Sequence, residues 1–376
     1  VPVSAMRISL AWHNTLQNKK RSFAAVAGIA FSLLLVFMQL GFLQTARDNS
    51  TLVYNYFKFD LIITSNRFES LESAHFFDRT RLLQTQVIPG IEAVSTLNAS
   101  RHRWRDPDND DLMSSCMMLG FDLNPRFIPE EHRDGLATLT ARNTVMLDKY
   151  ADPDYGARVV GQEATLRKRP VTVTALFELG TGFQAEGSVI TSIDTYASIY
   201  RRPSREIVFG LVQLAPDADP LAIKAQLNQS LPDDVVVFTK DELVARERDY
   251  YVKVKPIGIM FQTGAFVAFC VGGVILYQVL ASEISNRLRE LATLRAVGFD
   301  DRYVYMVGIQ QAVIFATLSY GPAFVCGLIT FKLVFLASHI PVFMALTVLT
   351  LSFIMTSVSS VLALQKVKRA DPADLF

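Results

Sequence analysis

The sequence predicts a membrane α-helical protein: four transmembrane helices, with a large extracytoplasmic α+β domain inserted between the first and the second. Two observations carry that reading. Four long runs lack any charged residue, and the basic residues between them gather on one side. The 376 residues carry 37 Lys and Arg against 36 Asp and Glu, half are hydrophobic and only 19% are charged. A soluble domain carries about a quarter charged residues, so something apolar dilutes this chain. Near-neutral charge argues against a nucleic-acid binder, which needs a basic stripe, and the apolar content excludes disorder. Three cysteines are too few for a disulfide-stapled scaffold.

Each span follows from its length. Phe23–Gln44 is 22 residues without a charge, just after Lys19, Lys20 and Arg21. At 1.5 Å per residue it reaches about 33 Å, enough for a hydrocarbon core of about 30 Å. Pro256–Ser282, Tyr303–Phe331 and Pro341–Gln365 give 27, 29 and 25 more. A signal peptide would have a shorter apolar run and a small-residue cleavage site. Residues 1–22 carry Arg7, Lys19, Lys20 and Arg21 and no acid; 283–302 carries Arg287, Arg289, Arg295 and Arg302; 366–376 carries Lys366, Lys368 and Arg369. Cytoplasmic segments retain Lys and Arg, so four crossings put both termini in the cytoplasm of a multi-pass membrane protein.

Residues 45–255 then lie outside, with the 332–340 hairpin on the same side. From 46 to 255 there are 25 basic and 30 acidic residues, enough chain for a core of its own. Cys270 and Cys326 fall in spans, which leaves Cys116 alone outside. Strand-like runs are Asp60–Thr64, Ser114–Gly120, Val171–Phe177, Ser188–Thr191, Ile207–Leu214 and Val235–Phe238. Helical patterns cover Asp219–Gln229 and Lys240–Lys255. Lys240–Lys255 and Thr45–Phe57, each running into a span, read as stalk helices.

Catalytic signatures are scarce. The sequence has no P-loop, nucleophile elbow or H-E-x-x-H, and its five histidines (13, 75, 102, 132 and 339) are scattered. Gly180 to Ala185 spells G-x-G-x-x-A, but Glu186-Gly187-Ser188 after it does not open a helix, so a strand connection is the better reading. Asp106–Asp111 starts like a calcium loop yet has Asp111 and Met117 where Gly and Glu belong. Neither a cofactor nor a metal is expected. Arg101, Arg103 and Arg105 alternate, which on a strand puts three guanidinium groups on one face, solvated or turned to anionic head groups or an acidic partner.

Small residues recur every fourth position at Ala24, Gly28 and Ser32 in the first span and at Gly264, Ala268 and Gly272 in the second. Such ridges let helix backbones approach closely, within one chain or across a dimer seam. Gly321-Pro322 removes a backbone donor from the third span and should bend it. The most informative stretch is Glu283–Phe299. There Leu288, Leu291 and Leu294 share a face, Arg289, Glu290 and Arg295 cover the rest, and Gly298 is a helix stop. Asp300 or Asp301 would cap the third span. A short amphipathic helix of this kind can insert into a partner's groove or rest on membrane lipids.

Glu290 to Phe299 resembles the coupling segment of the MacB/FtsX-type ABC permeases, and more closely that of DevC-like members. The resemblance extends through Ala27–Phe31, Phe37–Phe42, Asp60–Ile62, Phe177–Gly180, Gly187–Ser192 and the tail Ala370–Phe376. It implies a homodimeric, non-catalytic permease of the mechanotransmission type, working with a separate cytoplasmic ATPase. A periplasmic membrane fusion protein and an outer-membrane channel would complete an efflux assembly for a glycolipid or other amphiphile. The ATPase contact would fall on Arg289, Glu290, Leu291, Leu294, Arg295 and Gly298. A lipoprotein-releasing permease and an FtsX-like regulator of a cell-wall hydrolase share the loop and stay open.

Overall fold

The four apolar runs fold as helices, and the polar insert folds as a sheet-based domain. The computed structural model describes residues 19–73, 75–106, 113–180, 185–286, 301–334 and 340–368. In chain order come α1 (Lys19–Asn49), α2 (Leu52–Tyr56), β1 (Leu61–Ser65), β2 (Phe77–Asp78), α3 (Thr80–Thr85), β3 (Ile91–Arg105) and β4 (Met113–Phe121). Then follow α4 (Arg133–Leu136), β5 (Thr144–Asp148), β6 (Glu163–Leu166), β7 (Arg169–Phe177), β8 (Gly187–Ser192), α5 (Ile193–Tyr200), β9 (Glu206–Ile207) and β10 (Phe209–Leu214). The last are α6 (Pro220–Ser230), β11 (Val235–Thr239), α7 (Lys240–Lys253), α8 (Pro256–Asn286), α9 (Asp301–Val334) and α10 (Val342–Lys368). Two units form, one from residues 45–255 and one from the apolar helices.

Nine strands of the α+β domain run in the order β11-β1-β10-β3-β4-β8-β5-β7-β6, and β6 also pairs back onto β3. The second pairing closes β3, β4, β8, β5, β7 and β6 into a ring, with β6 meeting β3 only at Trp104 and Arg105. Inside the ring lie Trp104, Cys116, Met118, Val145, Leu147, Val173 and Val189, all buried. The 15-residue β3 serves both halves: Ile91–Leu97 pairs with β10, and Trp104–Arg105 pairs with β6. Burial on both faces explains why β1 (Leu-Ile-Ile-Thr-Ser) reads as an unbroken apolar, β-branched run. Helix starts obey local chemistry. Asp219 caps α6 by accepting from the Leu221 N–H at 3.0 Å with Pro220 in the first turn, and Thr239 and Glu242 form a reciprocal capping box on α7.

Three expectations need correction. The segment Thr45–Phe57 is not one continuation of the first span: α1 ends at Asn49, Ser50-Thr51 turn, and α2 buries Val53 and Tyr54 in the domain core. Likewise α7 stops at Lys253 and α8 starts at Pro256, whose missing N–H and ring disfavour helix in the residue before it. α7 buries Leu243, Glu247 and Tyr251, so it also packs into the α+β domain. Third, Ile207–Leu214 is two strands, parted at Val208, where β9 turns away to pair with β2.

In the helical unit α1, α8, α9 and α10 each contain a stretch long and apolar enough to cross a membrane. They share a core built from Ile29, Leu33, Phe37, Leu276, Phe315, Val348 and Met355. Phe23, Phe31, Phe266 and Val342 point outward, more than half exposed, as side chains facing lipid would. α9 continues through Pro322.

Candidate functional site

Five of the six small residues singled out in the first two spans are brought together within the chain. The Ser32 hydroxyl donates to the Ala268 carbonyl at 2.5 Å, and Ser359 on α10 donates to the Gly273 carbonyl at 2.9 Å. A methyl group at Gly272 would strike the Ser32 hydroxyl and lie 2.7 Å from the Met355 sulfur. At Gly264 it would meet the Gln39 amide at 2.7 Å, and at Gly28 the Ile275 side chain at 3.0 Å. Close approach of α1 and α8 thus requires these positions to be small. Ala24 lies apart from this seam, exposed.

The coupling segment itself, with Arg289, Glu290, Leu291, Leu294, Arg295 and Gly298, lies outside the described residues. The structure gives its two anchors, α8 ending at Asn286 and α9 beginning at Asp301.

In the α+β domain the polar focus is a pair of carboxylates that the sequence did not single out. Glu247 on α7 is wholly buried and accepts from the Tyr54 hydroxyl at 3.0 Å and the Leu71 N–H at 3.0 Å. Burial pushes its carboxyl up to about 7, against those two hydrogen bonds. Next to Leu71, Glu72 accepts from Lys255 at 2.6 Å and the Tyr251 hydroxyl at 3.1 Å, and pairs with Arg101. Together these contacts tie α2, α7 and β3 to one short turn. No sequence pattern marks either glutamate, since α7 reads simply as a charged helix.

The arginine stripe is indeed on a strand, but its members differ. Arg101 is held by Glu72, whereas Arg103 and Arg105 lie against the Met113 sulfur at 3.5 and 3.8 Å. Beside them, Arg167 (φ 49°) and Lys168 (φ 66°) make the two-residue turn between β6 and β7. Both are left-handed, a conformation usually left to Asn-Gly and costing other residues about 1 kcal/mol or more each. That turn sets the Arg167 guanidinium 4.9 Å from the Tyr200 ring centre, donating to the Tyr200 carbonyl at 2.9 Å. Burial and then the Arg167 charge hold His102 down at about 4, so its imidazole is neutral.

Gly180, the start of the glycine-rich motif, sits between β7 and β8 at φ 98°, its N–H donating to Asp148 at 2.9 Å; residues 181–184 lie outside the described residues. The next element is β8, a strand, so the strand–turn–helix context of a dinucleotide site is not present there. Asp106 borders the remainder of the acidic loop, which also lies outside the described residues. Among the described residues no three His, Cys, Asp or Glu side chains are grouped to hold a metal. Cys116 is buried and its thiol is pushed up to about 12.

Four apolar helices with a large α+β insert define an integral membrane protein. The family model of the MacB-like periplasmic core domain matches residues 22–230, and that of the FtsX-like permease C-terminal matches residues 263–372. The first alone spans more than half the chain, and the chain belongs to the MacB/FtsX family of ABC permeases. No curated protein matches it. The periplasmic region of MacB from Actinobacillus actinomycetemcomitans is similar at 13% identity over 51% of this chain and 93% of that one, with a TM-score of 0.37. The extracellular domain of the noncanonic ABC-type transporter YknZ from Gram-positive bacteria is similar at 11% identity over 48% and 100%, with a TM-score of 0.34. Membership makes this an inner-membrane protein with an ABC ATPase as partner, in a family whose permease subunits are generally non-catalytic.

Proposed function

We propose that the protein is the permease of an ABC export complex, and that it transmits ATP-driven motion of a separate ATPase to its α+β domain rather than conducting substrate. The observation that carries this is the make-up of the spans. Their cores hold no charged side chain, and many of their hydroxyls return to the carbonyl one turn back, as Thr317 does to Val313 at 2.9 Å and Thr347 to Phe343 at 2.8 Å, while Ser32, Ser359 and Tyr320 bond across to neighbouring helices. A path for a charged solute would call for ionisable groups turned inward, and the span cores have none. ATP-driven closure would reach the spans through Arg289, Glu290, Leu291, Leu294, Arg295 and Gly298. Both termini lie in the cytoplasm and residues 45–255 in the periplasm, in a homodimer embedded in membrane lipid. A membrane fusion protein and an outer-membrane channel complete the assembly, and the DevC-like segments favour a glycolipid or other amphiphile as cargo.

A mild-detergent purification of the tagged chain, with mass spectrometry and an ATPase assay on the eluate, tests the reading. It predicts an ATPase together with a periplasmic adaptor. An ATPase with a cell-wall hydrolase would replace export by hydrolase regulation, and one with a soluble lipoprotein carrier would replace it by lipoprotein release. No ATPase would overturn it.

A further inference from the structure

The fork in β3 leaves an opening in the sheet. On one flank β4 covers Leu97–Arg105 without a break. On the other, β10 pairs only as far as Leu97 and β6 only from Trp104. The Val208 N–H, where β10 begins, is tied off by the Asn98 side chain at 2.7 Å, and the Arg167 N–H reaches the Arg103 carbonyl at 3.3 Å. Between those two ties no strand among the described residues is in register with β3. A strand's N–H and C=O groups alternate flanks, and the Arg103 carbonyl faces the β6 side. The same parity turns the backbone groups of Ala99 and Arg101 into the opening.

A cleft of about 500 Å³ occupies that place. Its length along β3, from Asn98 to Arg103, is roughly 16 Å at 3.3 Å per residue, room for a few extended residues. The two faces of β3 carry cations on either side of it. Arg101 and Ala99 share one face, with Glu72 the acid there, itself held by Lys255. On the other face the Tyr200 ring, 5.4 Å from that of His102, carries Arg167. At its rim Arg202 stacks 5.1 Å over Phe76 and pairs with Glu206 at 2.9 Å. Two cations, Arg101 and Arg167, line the cleft against one acid, Glu72.

We propose that this opening binds an extended, acidic segment of a partner protein, which adds as a short strand to β3 between β10 and β6. The Ala99 and Arg101 backbone supplies the ladder, and Arg101 and Arg167 receive acidic side chains on alternate faces. Unpaired strand edges recruit strands, and the positive surround selects against basic ones. The inference does not depend on the export reading, because it concerns only how the α+β domain takes a peptide.

The test is fluorescence anisotropy on the full chain in detergent, with a labelled Glu-Val-Glu-Val-Glu-Val peptide as probe. It should bind at least tenfold tighter than the Lys-Val counterpart. N-methylation of alternate amides should abolish binding in one phase and spare it in the other, as only a strand pairing on one side would. Ala99→Pro removes a donor that faces the cleft and none that faces β4, and should lose the peptide at least tenfold while Trp104 stays in its folded, buried fluorescence state. Should that variant unfold, the N-methyl pair on the unaltered chain still decides the matter. Equal binding of both methylated peptides would make the cleft a plain anion site, and no binding of the acidic peptide would leave the edge without this role. Either result overturns the proposal.

Discussion

The α+β domain and the helical unit bury polar groups by different means. In the α+β domain a buried carboxylate such as Glu247 finds donors on other elements, the Tyr54 hydroxyl and the Leu71 N–H. In the helical unit hydroxyls turn back onto their own helix, as Thr330 does to Cys326 at 2.9 Å and Thr350 to Leu346 at 2.8 Å, with few reaching across, as Ser32 does. Where lipid is the solvent a polar group is satisfied locally, because no water takes over if helices shift. Where water bathes the fold, long-range partners hold the elements together and titrate with pH. Packing defects should therefore damage both units, pH should act on one, and single hydrogen bonds should matter little in the other.

The largest effect is expected from packing. Gly120 on β4 lies under Tyr196, and an added methyl would sit 2.5 Å from that residue's Cβ. Backbone-anchored atoms cannot give way, so Gly120→Ala should cost about 3 kcal/mol. The readout is the urea midpoint of Trp104 fluorescence in the full chain carrying Trp12→Phe. An unchanged midpoint would mean that α5 does not rest on the ring of strands as described. Gly272→Ala should cost less, about 1–2 kcal/mol, because the Ser32 Cβ is farther away at 2.9 Å, the unbranched Met355 side chain can move and alanine favours helix.

Next comes pH. The Glu247 carboxyl is raised from its ordinary 4.5 to about 7, so between those values the folded state holds a proton that the unfolded state has released. Its contribution is complete below pH 4.5 and lost as pH rises through 7, by roughly 2–3 kcal/mol. Glu247→Gln should flatten that decline in the Trp104 midpoint. A variant with the same slope as the original chain would place the titration elsewhere.

The smallest effect belongs to the helical unit. Ser32→Ala removes the hydrogen bond to Ala268 and should cost about 0.6 kcal/mol, with no pH dependence, in SDS-driven unfolding followed by circular dichroism. A loss near 3 kcal/mol would contradict the claim that this unit relies on packing rather than cross-helix bonds.

The same contrast governs what could be read from the sequence. Spans announce themselves because lipid imposes one rule on twenty residues in a row, and α1, α8, α9 and α10 fall where the uncharged runs lie. Strands with one clear pattern, such as β4 and β8, were legible within a residue or two at each end. β3 was not, although it is the longest strand among the described residues, because Ala93–Ser100 is half-buried or buried on both sides and shows no alternation; only its arginine half did. β5, buried at all five positions, carries no alternation either. The Glu72–Glu247 junction and the opening at Ala99–Arg103 were invisible, since both depend on residues more than a hundred apart in sequence or on where two strands part. The breaks at Ser50-Thr51 and Val254-Lys255 were missed because helix resumes directly after each, at Leu52 and at Pro256.

The central claim is that this chain couples a separate ATPase, and Glu290→Arg tests it most directly. ATP hydrolysis is measured in the purified complex, original and variant, alongside membrane insertion of the chain. The account predicts that stimulated hydrolysis falls severalfold while insertion is unchanged. Undiminished stimulation at normal insertion would contradict it.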